Sequence, residues 1–189
     1  MARYFASSVV GFDDFPFPRS HRGDVRIIGT VYTGLRLDGI ISGCLRKDGA
    51  NATDKLALLV QGSKFAPQIK LVMLQGIALG GFNVVDIHDL HQRLKTPVLV
   101  VARRAPDYRA IKDALLSKVP GGARKWRLIE RAGEMEATAG VYVQRAGLTL
   151  REAGKVIERF TACGRIPEPL RVAHLIAGGV GGGQSRGRA

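Results

Sequence analysis

Two short apolar runs constrain the fold more than any other feature of the chain. Residues 69–74 and 97–102 are almost uninterrupted apolar segments, each too short for a stable helix. Near-continuous apolar strands are buried on both faces, as in a parallel sheet covered by helices. Between them Val84, Ile87, Leu90 and Leu94 recur at helical spacing, so the region reads strand–helix–strand. Ligands of such sheets gather at the C-terminal ends of the strands. The stretch 71–90 is therefore where a site is expected. Gln75 ends the strand, Gly80, Gly81 and Phe82 form the loop, Asn83 opens the helix, and Asp86 lies in its first turn.

The chain before this stretch is β-rich. Residues 6–12 suit a first strand, and Asp13 and Asp14 stand where it gives way to a loop containing Pro16 and Pro18. Residues 25–33 and 35–46, separated by Gly34, complete a three-stranded antiparallel start. Lys47-Asp48-Gly49 is a turn, and a helix follows, capped by Asn51 or Thr53 and ending near Gly62. After the second apolar run, residues 107–118 read as a helix stopped by Pro120-Gly121-Gly122. Residues 126–129 and 141–143 are expected as short strands. Thr149 and Glu152 form a capping box for a helix burying Ala153, Val156, Ile157 and Phe160. Pro167-Glu168-Pro169 opens a last helix through Ala177, and residues 178–189 form a Gly- and Arg-rich tail expected to be flexible.

The order β-β-β-α-β-α-β-α, with a partly helical extension, matches a ribonuclease H-like α/β fold: one mixed sheet flanked by helices. A single domain over residues 1–177 is expected. No apolar run is long enough to span a bilayer, and no secretory signal precedes the first strand, so a cytoplasmic protein is expected. Cys44 and Cys163 lack the spacing of a zinc module and read as buried, reduced thiols. The 29 Lys and Arg outnumber the 16 Asp and Glu, leaving a net charge of +13 that favours phosphate polymers as partners.

Cutting a phosphodiester with metal ions needs carboxylates from separate elements to hold the ion that activates water. First and fourth strands are neighbours in a ribonuclease H-like sheet, which would bring Asp13 and Asp14 towards Gln75 and Asp86. Adjacent aspartates on a strand point to opposite faces, so one of the pair is expected to face the site. Gln75 is the discordant member, since an amide oxygen ligates weakly and brings no charge. His88 and His91 lie one turn apart and read as a polar helix face. His174 suits either a core histidine or an acid/base group. Arg103, Arg104, Arg165, Arg171, Arg186 and Arg188 are candidates for phosphate contacts.

Three segments carry a family resemblance: Gly11-Phe12-Asp13-Asp14, the run from Gly80 to Asp86, and the run from Gly164 to His174. Together they resemble the mainly archaeal endonuclease dU family, itself similar to endonuclease V. The resemblance implies a ribonuclease H-like fold and Mg²⁺- or Mn²⁺-dependent cleavage of DNA bearing deaminated bases such as deoxyuridine. It places the first acid of endonuclease V on Asp13 or Asp14. The other two fall near residues 51–54 and on Gln75. Asp13, Asp14 and Asp86 are then the expected catalytic and metal-holding residues. Gly80, Gly81, Phe82, Asn83, Arg103, Arg104 and Arg171 are the expected substrate contacts, with DNA as the partner and RNA as the alternative. Two other functions fit the same pocket: a nucleic-acid-binding protein with weakened catalysis, and an enzyme acting on a small phosphorylated substrate.

Overall fold

A computed structural model describes residues 7–185 of the chain. A seven-stranded mixed sheet runs through it in the order β3-β2-β1-β4-β7-β9-β8. β1 (Ser8–Asp14), β2 (Asp24–Thr33) and β3 (Arg36–Arg46) form the antiparallel side. β4 (Val72–Gln75) lies parallel to β1, and β7 (Val98–Ala102) parallel to β4. The two apolar runs thus sit side by side at the centre, as their composition requires. β8 (Glu136–Thr138) and β9 (Val141–Ala146) extend the far edge, antiparallel to β7. The fold is ribonuclease H-like.

Strand alternation divides the core between two faces. Val10 and Phe12 of β1 join Leu74, Val98 and Val100 beneath α1 (Ala52–Gln61) and α2 (Ile87–Leu94). Val9 of β1 joins Met73, Leu99 and Val143 beneath α5 (Leu150–Phe160) and the first turns of α6 (Glu168–Gly182). The capping box at Thr149 and Glu152 forms, and α5 buries Ala153, Val156, Ile157 and Phe160. α6 can lie directly on β1 because Gly11 has no side chain. A Cβ there would stand 2.6 Å from the Pro169 carbonyl carbon. The Thr30 hydroxyl donates to the Pro169 carbonyl at 2.6 Å and fixes the same contact.

Several local expectations are corrected. β1 extends through both aspartates, so Asp13 and Asp14 are its last two residues. Residues 126–129 are helical, within α4 (Gly122–Ala132), which follows α3 (Tyr108–Lys118). Gly122, Lys125 and Ile129, spaced about one helical turn apart, are the buried positions. Asn83 does not open a helix. It lies in a two-residue strand, β6 (Asn83–Val84), paired with β5 (Ala78–Leu79), and Asp86 is the N-cap of α2. α6 continues past Ala177 to Gly182, so the first part of the supposed tail is helix. Arg186 and Arg188 lie outside the described residues. Both cysteines are exposed rather than buried. No described helix is long and apolar enough to cross a membrane.

Candidate functional site

The C-terminal ends of β1 and β4 meet at one edge of the sheet. Phe12 pairs with Leu74, so Asp13 and Gln75 are the next residues out on adjacent strands. Here a cleft of about 490 Å³ is lined by Asp13, Asp14, Gln75 and His174, with Pro16 and Gln184 at its rim. Both aspartates line it, contrary to the expectation that one would turn away. The alternation still holds, because the cleft straddles the open end of the sheet. Asp13 points to the α6 face, where its Oδ2 meets His174 Nδ1 at 2.8 Å. Asp14 points to the other face, where its Oδ2 accepts the Gly80 N–H. The remaining Asp13 oxygen accepts the Asp14 N–H at 2.9 Å.

Burial makes these carboxylates reluctant to ionise. Desolvation, followed by the charge of Asp13, pushes the Asp14 carboxyl up to about 6. Asp13 is also raised by burial, although the hydrogen bonds from His174 and the Asp14 N–H oppose the shift. Beside them the Gln75 side-chain oxygen is buried with no hydrogen-bond partner. An unpaired buried acceptor normally implies a missing donor or cation. Among the described residues, no three of His, Cys, Asp and Glu gather as a metal cage. The donors that could hold an ion are therefore two carboxylates and one amide oxygen. That all-oxygen set suits a single hard divalent cation rather than an ion pair.

The other predicted residues separate into structural and exposed groups. Asp86 is not brought to the aspartate pair. Its side chain caps α2 by accepting from the His88 and Asp89 N–H groups and pairs with Arg131 at 2.9 Å, in a different cleft. Asn83 is fully buried: its Oδ1 accepts the Ala52 N–H at the start of α1, and its Nδ2 donates to Arg46 and Asn51. A residue of β6 thus supplies the cap expected from Asn51 or Thr53. Gly80, at φ 58°, turns its N–H towards Asp14, a conformation that few side-chain-bearing residues adopt. Gly81 packs against the Asp48 carboxylate, and the Phe82 N–H donates to that carboxylate at 2.8 Å. The Phe82 side chain enters a separate apolar cluster with Val84, Leu115 and Ile129.

Arg103 and Arg104 are exposed in the turn after β7, at the same edge of the sheet as Gln75. Arg171 is held by both oxygens of Glu168, at 2.9 and 2.6 Å. His88 and His91 do not form a metal pair, since each ring approaches a backbone carbonyl, of Arg131 and Thr96 respectively. His174 is the site residue that sequence reasoning left undecided. Its signal was its place four residues after Leu170, one helical turn from a core position, within a family-marking segment.

The endonuclease dU family model matches residues 6–181. A UPF0215 protein of Deinococcus radiodurans is 61% identical over 182 residues, covering 96% of this chain and 93% of its own. A crystal structure of an Archaeoglobus fulgidus protein matches with a TM-score of 0.85 and 37% identity, over 92% of this chain and 97% of that one. Endonuclease V of Ciona intestinalis, crystallised with inosine-containing DNA, matches with a TM-score of 0.57 and 14% identity, over 89% of this chain and 83% of that one. That likeness concerns the fold.

Proposed function

The chain belongs to the endonuclease dU family, and on that premise we propose a metal-dependent endonuclease acting on DNA with deaminated bases such as deoxyuridine. One observation carries the assignment to a site: a buried carboxylate, a half-buried one and an unpartnered amide oxygen share one cleft at the sheet edge. Asp13, Asp14 and Gln75 would hold a Mg²⁺ or Mn²⁺ ion. When bound, such an ion lowers the pKa of a water nucleophile and neutralises charge on a phosphate oxygen. Asp13 orients His174, and a histidine held by a carboxylate can take or return a proton at the rim of the cleft. Gly80 holds Asp14 in place from the loop side. Arg103 and Arg104 stand where they can meet the phosphate backbone.

The net charge of +13 supports a polyanionic substrate over a small neutral one. The test is nicking of a duplex containing a single deoxyuridine. Cleavage is expected with Mg²⁺ and none with chelator, and an Asp14→Asn protein should not cut. Full activity in Asp14→Asn would remove the site assignment. The amide at Gln75 favours one second reading, binding without cutting. That reading predicts salt-sensitive retention of DNA and no nicking at any metal concentration.

A further inference from the structure

Beyond the aspartate cleft, the loop after β4 opens on a second cavity. Gln75 lines the cleft, and the next residue, Gly76, lines a cavity of about 250 Å³. Ile77, Phe82, Tyr108 and Ile111 give it walls that are almost wholly apolar. Its one buried polar side chain is Gln144 of β9, only 2% exposed. The Gln144 amide nitrogen donates to the Gly133 carbonyl, which fixes which end of the amide is which. Its oxygen has no hydrogen-bond partner, although it is buried. The Tyr108 hydroxyl oxygen already accepts the Met135 N–H at 2.9 Å, which leaves its own hydrogen to donate. Gly76, at φ 82°, has open space where a side chain would stand, so nothing from this residue blocks the side nearest the cleft.

An apolar slot with an unmet side-chain acceptor calls for a flat, mostly apolar ligand that carries an N–H. A nucleobase turned out of its strand has that character. Deamination also changes the hydrogen-bonding edge in the required sense. The pairing-edge ring nitrogen of cytosine or adenine is an acceptor. In uracil and hypoxanthine the same nitrogen carries a hydrogen, next to a carbonyl. We propose that this cavity seats one extruded base and that Gln144 Oε1 accepts its ring N–H, with the Tyr108 hydroxyl available to the neighbouring carbonyl. The proposal rests on the nuclease reading above and adds to it a specificity residue on a different strand from the aspartates. A seated base would lie on the loop joining β4 to β5, close in sequence to Gln75.

The test is a binding measurement in chelator, so it does not depend on cutting. Labelled single-stranded oligonucleotides carrying one deoxyuridine, or one N3-methyl-deoxyuridine, are titrated with the full chain. The unmodified protein is expected to bind the N3-methyl strand about tenfold or more weakly, since it has lost the N–H. Gln144→Leu is expected to bind the two strands equally, whereas a purely steric penalty from the methyl group would persist in that variant. Equal binding by the unmodified protein would overturn the proposal, and so would undiminished discrimination in a folded Gln144→Leu. If the leucine variant does not fold, Gln144→Met, which keeps the side-chain length but lacks the amide acceptor, takes its place with the same two outcomes. Failure of the nuclease reading shows separately, as an absence of Mg²⁺-dependent nicking.

Discussion

Two clefts in this molecule are rich in aspartate, and the one with more acids is the less promising site. The cleft beside α2 is lined by Asp48, Asp54, Asp86 and Asp89. Each of these is already used. Asp86 caps α2 and pairs with Arg131, Asp54 and Asp89 both hold Arg93, and Asp48 accepts the Phe82 N–H. The cleft at the ends of β1 and β4 has only Asp13 and Asp14, yet their burial raises both carboxyls and Gln75 offers an oxygen with no partner. Unmet demand, rather than the number of acids, marks a place prepared for a ligand.

The largest difference between the clefts should appear in activity. Asp14→Asn is expected to lower nicking of uracil-containing duplex by at least about a hundredfold, as loss of a metal-holding or proton-moving group does. Asp86→Asn should leave nicking near the unmodified rate. Comparable losses in both variants would erase the distinction. Next in size is the contact that carries His174 to Asp13. Gly11→Ala would drive a methyl group into the Pro169 backbone, costing about 1–3 kcal/mol of stability and weakening cleavage by displacing α6. Unchanged melting temperature and activity would show that α6 is not held by this contact.

Proton linkage gives a third contrast. The folded protein keeps the Asp14 proton until about pH 6, whereas the unfolded chain releases it near the ordinary value of 3.8. The folded state therefore binds more protons in that window, and stability should fall as pH rises from about 4 to 6. In chelator the fall should be on the order of 1–2 kcal/mol and should flatten in Asp14→Asn. An identical pH profile for the two proteins would contradict the burial argument. The smallest effect belongs to the α2 cap: Asp86→Ala should cost about 1 kcal/mol in thermal or urea unfolding. A change under a few tenths would mean that the cap is idle.

How far the sequence foretold this depended on whether a signal was local. The central strands were legible because burial on both faces demands continuous apolar residues, and α5 because its capping box and apolar spacing agree. Asp13 and Asp14 were legible as acids at a strand end. Asp86 was misplaced because Asn83 looks like an N-cap, whereas its side chain instead caps α1 from across the fold. Residues 126–129 read as a strand because the span is too short to display the period of α4. His174 and Gln144 gained their meaning from tertiary contacts, with Asp13 some 161 residues away for the first and with a cavity wall for the second. No pattern within either segment could supply that.

The contrast between the two clefts can be measured directly by locating bound metal. In crystals grown with Mn²⁺, the anomalous signal is expected in the cleft between Asp13, Asp14 and Gln75, with none beside Asp86. Loss of that signal in Asp14→Asn would complete the result. A manganese peak in the Asp48–Asp86 cleft, with none at the aspartate pair, would contradict the account.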